Sequence, residues 1–242
     1  MWPIFRSDYW QLSRHPVLNV LFVTPLWVLY EFLAYRLNHG WVGSIRTGTD
    51  FLIKKCFSDV GLNAGLAVFI PVILICSFIV FQVKIIRKLQ RKTLLFAFMF
   101  CESLSYALIF GIMVGGVTKF FLTQESVGFN YSRISALVIN IGSGVYEEFF
   151  FRFLFITGFV ALFKKYFHVN RYIIYTSVIV LSSLLFAFFH YLNYFNEPLR
   201  WDSFYFRFFA GVAFAILFLM RGYGITAYTH SLYNILLMFR YN

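Results

Sequence analysis

Apolar runs close to twenty residues long follow one another along nearly the whole chain, separated by short polar or basic connections. They fall at 17–35, 62–83, 93–115, 132–163, 172–191, 203–220 and 224–240. A helix needs about 20 such residues to cross a bilayer core of about 30 Å. Inside lipid every backbone polar group must be paired within the protein, which a helix does by itself. The pattern therefore predicts an all-α, polytopic transmembrane helix bundle of about seven spans, with six to eight as the range. No stretch is left over for a separate soluble domain, so residues 1–242 are expected to form a single integral membrane domain. The fourth run is anomalous: as one helix its 32 residues would measure about 48 Å. It must tilt strongly, protrude, or break near Gly142 and Gly144, just before a pair of glutamates. Pro25 and Pro71 lie inside the first two runs and predict kinks.

Composition removes the soluble alternative: 60% of residues are hydrophobic, 23% aromatic and only 13% charged. The net charge of +11 raises the question of nucleic acid. The basic residues, however, sit mainly between apolar runs, where they meet anionic headgroups, so a lipid bilayer and no nucleic acid is the expected partner. KIIRKLQRK, residues 84–92, is the densest basic connection. The positive-inside rule places it in the cytoplasm together with the N-terminus, and Arg221 falls on the same side. No small-residue cleavage site follows a short apolar stretch near the start, which predicts an uncleaved first helix. Within the 36–61 connection, TDFLIKKCF predicts a short interfacial helix, with Phe51 and Leu52 as apolar anchors and Lys54 and Lys55 facing headgroups. Cys56, Cys76 and Cys101 have no metal-type spacing, and the last two are expected to be packing residues.

Four acids break the apolar runs: Glu31, Glu102, Glu147 and Glu148. A charge at mid-bilayer costs about 2.5–3.5 kcal/mol on insertion scales, so each needs a partner or a function. Glu31, near the end of its run, can snorkel to the interface, and Glu102, among Cys101, Ser103 and Ser105, can hydrogen-bond across helices. The stretch YEEFFFR, residues 146–152, is different. Glu148 and Arg152 stand i,i+4 in the favourable order for an ion pair on one helix. Glu147 lies about 100° further round, on the face of Gly144 and Phe151, with no local cation. It must find its partner on another helix, and an unpaired carboxylate in a wet cavity can take a proton from water and hand it on. The bland alternative is that both acids merely pin the bundle.

Of the five histidines, His15, His39 and His168 fall in connections and are expected to be solvated, whereas His190 and His230 fall in apolar runs. FAFFH puts Phe186 and His190 on one helical face, and HSLYN does the same for His230 and Asn234. Two imidazoles, an amide and an unpaired carboxylate on three spans suggest a shared site. Their depths conflict: His190 lies about 27 Å along its run and His230 about 9 Å along the next one but one. Extending the fifth span through Asn193 and starting the seventh at Arg221 would reconcile them.

The ordered set EExxxR, FxxxH and HxxxN on successive membrane helices resembles the CAAX protease and bacteriocin-processing (CPBP, or Abi) intramembrane proteases, which include the type II CAAX prenyl endopeptidase. The resemblance covers roughly residues 130–240, the expected catalytic core. Many members carry glycine after the arginine, where this chain has Phe153. The resemblance implies a glutamate-dependent peptidase acting on a peptide or protein substrate within a membrane, a bacterial plasma membrane by that likeness. Catalytic roles would fall to Glu147, His190, His230 and Asn234. Glu147 with His190 would activate water, His230 and Asn234 would donate to the oxyanion, and Glu148 and Arg152 would support Glu147.

No cofactor is expected. The minority alternative is a divalent metal such as zinc held by Glu147, His190 and His230, although no HExxH is present. Two other function classes compete: an ion-coupled transporter, since buried acids and histidines also build proton relays, and a non-proteolytic binding or immunity protein. The absence of an inverted repeat weighs against the transporter.

Overall fold

A computed structural model of the chain describes residues 9–68, 93–121, 132–166, 170–191 and 200–241. The elements in order are α1 (Pro16–Asn38), α2 (Gly48–Asp59), a 3-10 turn (Ala64–Val68), α3 (Thr93–Phe121), α4 (Arg133–Gly142), two π-helical stretches (Ser143–Glu147 and Phe149–Ile156), α5 (Thr157–Tyr166), α6 (Arg171–Phe189), α7 (Trp201–Arg221) and α8 (Tyr223–Tyr241). No strand occurs among the described residues.

Local chemistry explains several of the boundaries. Pro16 opens α1, where its fixed φ suits the first turn and its missing N–H costs nothing. Thr47, Ser132 and Asn170 cap α2, α4 and α6 by accepting from the backbone N–H of Asp50, Ser135 and Tyr172. Gly222, at φ +84°, is the single residue between α7 and α8, a conformation that glycine adopts without a Cβ penalty.

Among the described residues four helices are long and apolar enough to cross a membrane: Pro16–Asn38, Leu94–Met113, Arg171–Phe189 and Trp201–Arg221. Seven spans are therefore not established. Most of the second run (62–83, with Pro71 and Cys76), the basic stretch 84–92, His168 and Asn193 lie outside the described residues. α8 falls short on apolarity because its inner face carries Thr226, Thr229, His230, Ser231 and Asn234. The fourth run does not break at its glycines. It stays helical from Arg133 to Tyr166 and changes hydrogen-bond register at Ser143.

α8 is the hub, contributing to three apolar clusters. Tyr223 and Ala227 pack with Trp27, Tyr30, Val138, Val145 and Tyr146. Ile225 packs with Leu18, Phe22, Leu95 and Met99, and Tyr233 with Ala107, Phe214 and Leu217. A fourth cluster joins Ile156 to α6 and α7 through Ile174, Val178 and Ala215. Large apolar side chains on the outward faces, such as Phe98, Ile112, Ile173, Leu185 and Phe209, remain exposed, as suits helices surrounded by hydrocarbon.

The glycines of the fourth run serve close approach. A Cβ at Gly142 would lie 2.3 Å from the Tyr30 ring, and one at Gly144 would lie 2.0 Å from Ser231 Oγ and 2.5 Å from the Ala227 carbonyl oxygen. Since backbone cannot swing aside, Gly144→Ala is expected to cost about 1–3 kcal/mol by overpacking. Thermal unfolding of the full chain in detergent measures this, and an unchanged midpoint would refute it.

Two expectations for charged residues need correction. Lys54 does not face headgroups, because its ammonium is buried against Glu31 and Asp50. Glu31 does not snorkel but accepts from Arg46 and Lys54. Arg221 is fully buried as well: it donates to both oxygens of Glu102 at 2.6 and 2.7 Å and lies 3.7 Å from the Trp10 ring. In each case two apposed helices supply opposite charges that neutralise one another, which removes the reason to reach for the interface. Glu102 does bond across helices, as anticipated. Cys101 is exposed rather than packed, Cys56 is also exposed, and His15 is half-buried.

Candidate active site

The two glutamates of YEEFFFR sit where the chain passes between its two π-helical stretches. An i→i+5 register widens the helix and re-aims its side chains, and such segments recur at functional sites. Hydroxyls from neighbouring helices tie the segment's carbonyls: Ser231 Oγ donates to Ile141 O at 3.1 Å, Tyr223 Oη to Val145 O at 3.0 Å and Ser182 Oγ to Phe151 O at 2.8 Å. The register change is thus held from α6 and α8.

Glu148 is fully buried, and its Oε1 is shared by two cations or potential cations. Arg152 Nη1 lies 3.2 Å away and His230 Nδ1 2.8 Å away. The spacing-based ion pair therefore forms, and it also reaches α8. Arg152 is itself fully buried, with Nη2 donating to Gly211 O at 3.3 Å and its guanidinium 4.4 Å from the Phe186 ring and 5.9 Å from the Phe214 ring. Phe214 stacks on His230 with centroids 4.5 Å apart. An imidazole hydrogen-bonded to an ionised carboxylate must be the donor, so Nδ1 of His230 carries a proton. In the neutral ring, Nε2 then holds the lone pair.

Glu147 is buried, 6% exposed. The groups acting on it by charge are His230, Glu148 and Arg152, with the Ser143 hydroxyl one turn before it. His190 caps the end of α6, half-buried, and its Nδ1 donates to the Phe186 carbonyl at 2.9 Å. The Phe186 ring lies near both histidines, 4.9 Å from His190 and 6.4 Å from His230. The depth conflict thus dissolves without extending α6 or starting α8 at Arg221, because both rings meet at one phenylalanine. Charges acting on His190 come from Arg207, His230 and Arg152. Asn234, one turn beyond His230, lines an open cavity of about 390 Å³ together with Asn140, Leu237 and Met238. Phe153 packs on Phe149 and Tyr223 at 5.6 Å each.

Glu147, His190 and His230 are the candidate metal ligands. Among the described residues no group of three or more His, Cys, Asp or Glu is arranged to hold a metal ion.

Three features escaped the sequence reading. Asn140 faces the same cavity as Asn234. The Glu148 contact to His230 joins two motifs that spacing alone treats separately. Tyr146, the first residue of YEEFFFR, hydrogen-bonds to Glu31 and accepts from Trp27 Nε1 at 3.0 Å. One signal for this last network was present, since Asp50 and Lys54 stand four residues apart on one face of α2 and Arg46 precedes Asp50 by the same spacing.

Residues 129–236 match the family model described as Rce1-like, type II CAAX prenyl endopeptidase Rce1-like. No curated protein and no solved structure matches the chain. The match takes in all three motifs and leaves α1, α2 and α3 outside it. Over residues 129–236 the chain is therefore similar to the type II CAAX prenyl endopeptidase family.

Proposed function

We propose that the chain is an intramembrane glutamate-dependent endopeptidase cleaving a peptide or protein near the membrane. One observation supports the reading: Glu148 of the buried acid pair in the first motif is hydrogen-bonded to the imidazole of the last, and the middle histidine packs on the same Phe186 ring as that imidazole. Glu147, assisted by His190, takes a proton from water, and the resulting hydroxide attacks the scissile carbonyl carbon. The negative charge on the carbonyl oxygen is met by hydrogen bonds from His230 and Asn234. Collapse of the intermediate breaks the C–N bond, and the proton held by Glu147 goes to the leaving amine.

His230 has a defined condition for its role. With Nδ1–H engaged by Glu148, donation from Nε2 requires the ring's second proton, whose charge Glu148 is placed to match. The same contact favours a second reading, in which Nε2 of the neutral ring is the base and Glu147 stabilises the imidazolium. Residual cleavage by Glu147→Gln well above that of His230→Gln would select the second reading.

Comparative peptidomics of membranes with the wild-type protein and with His190→Ala tests the activity: a cleaved species confined to the wild type supports it, and identical peptide sets overturn it. On that species Asn234→Ala is expected to lower kcat about 10²–10³-fold with KM little changed, the behaviour of a lost oxyanion donor. Loss confined to KM would assign Asn234 to substrate binding. Excess chelator is expected to leave the rate unchanged.

A further inference from the structure

α1 and α2 carry none of the three motifs and lie outside the family match, yet they build a second buried polar centre against the strand of residues that holds the glutamates. Glu31 and Asp50 supply two acids, and Arg46 and Lys54 two bases, so the cluster is charge-balanced. Arg46 Nη1 lies 3.2 Å from Glu31 and 2.6 Å from Asp50, and Lys54 Nζ lies 2.7 Å from Glu31 and also bonds Asp50. Tyr30 donates to Asp50 at 2.7 Å and accepts from the Thr47 backbone N–H at 3.2 Å. Asp50, Lys54 and Tyr30 have no exposed surface.

This centre reaches the π-helical segment through one side chain. Tyr146 donates to Glu31 Oε1 and accepts from Trp27 Nε1, while its ring packs 5.4 Å from Tyr30 and 5.3 Å beneath Lys54 Nζ. Tyr146 is the residue immediately before Glu147, at a point where the backbone departs from regular α geometry. On a helix, the direction in which residue 146 points fixes those of 147 and 148, about 100° and 200° further round. A widened π turn tolerates more than one rotation, so an anchor on 146 selects which one the acids adopt.

We infer that Glu31, clamped by Arg46 and Lys54, acts through Tyr146 as a positioning residue that sets the rotation of the segment carrying Glu147 and Glu148 toward His230. This rests on the proposed role of Glu147 for its kinetic consequence, but not for its geometric one, because the Glu148–His230 hydrogen bond reports the same rotation without any substrate. Tyr146→Phe removes the hydroxyl and keeps the ring, so the packing against Tyr30 and Lys54 is preserved. Glu31→Gln combined with Lys54→Met removes the anchoring charge while leaving Arg46 and Asp50 balanced, which guards against simple misfolding.

The test uses the purified full chain in lipid nanodiscs, with ¹⁵N-histidine spectra to read the His230 ring, a quenched prenylated CAAX peptide as substrate probe, and thermal unfolding in parallel. Tyr146→Phe and the double variant are expected to shift the His230 nitrogen resonances away from the carboxylate-bound Nδ1–H form. They are also expected to lower kcat about tenfold with KM within twofold, with the Tyr146→Phe midpoint close to wild type. Wild-type His230 resonances and kcat in Tyr146→Phe would overturn the inference, whatever the midpoint does. If Glu147→Gln still cleaves the peptide, the catalytic reading is what fails. The His230 resonances then decide the positioning inference alone.

Discussion

Glu147→Gln is expected to cut peptide cleavage by about 10²–10⁴-fold, the range a general base supplies. The substitution keeps shape, burial and one carbonyl oxygen, and removes only the capacity to accept and return a proton. Its neighbours make the loss specific: His230 stays bound to Glu148, and Arg152 stays bound to Glu148 and to Gly211 O. The fold should therefore survive, and the unfolding midpoint should hold or rise, because an acid buried without a cation on its own helix face is replaced by a neutral amide. A binding or immunity protein would keep its function in this variant. Single-turnover rates on the peptide identified by peptidomics provide the measurement, and retention of more than a tenth of wild-type activity would refute Glu147 as the base.

Arg152→Met is expected to be the most destabilising single change in the core, costing about 3–5 kcal/mol, because it strands the Glu148 carboxylate without its cation. Net stabilities of folded proteins are about 5–15 kcal/mol, so this consumes a large part of the total. Arg152 and Glu148 are both fully buried, and Glu148 Oε2 has no hydrogen-bond partner among the described residues, so no solvent screening softens the loss. Adding Glu148→Gln to Arg152→Met should recover most of the stability, since two neutral side chains then fill the space. It should not recover activity, because His230 has lost the carboxylate that orients its ring. Chemical or thermal unfolding of the single and double variants checks the first claim and peptide cleavage the second. Stability that fails to return in the double variant would show that Arg152 acts through its stacking on Phe186 and Phe214 rather than through charge.

The helical architecture was legible because membrane burial forces long apolar runs, and the motif residues because charge inside such runs stands out. Periodicity paired Glu148 with Arg152 correctly, since both lie on one helix and their geometry is local. It could not pair Glu148 with His230, Tyr146 with Glu31, or Glu102 with Arg221, because which helix faces meet is decided by packing across the bundle. The same limit explains Lys54: an amphipathic stretch in a connection has the composition of an interfacial helix whether its lysine meets a phosphate or a buried glutamate. Gly142 and Gly144 did mark the irregular point of the fourth run, but a glycine allows a break and a close approach equally. The rings of Tyr30 and the backbone of α8 decided for the second.

The one-residue joint at Gly222 ties the angular phase of α8 to that of α7. A Cβ there would sit 3.0 Å from the amide of Asn19, which also accepts from the Gly224 N–H at 2.7 Å, while Arg221 just before it is locked to Glu102. Gly211, which receives Arg152, and the histidine that receives Glu148 are thus geared together like teeth on one shaft. The elbow has no slack in which to absorb a change of length, so the spacing between these two contacts is a dimension of the buried Glu148–Arg152–His230 network rather than of a loop.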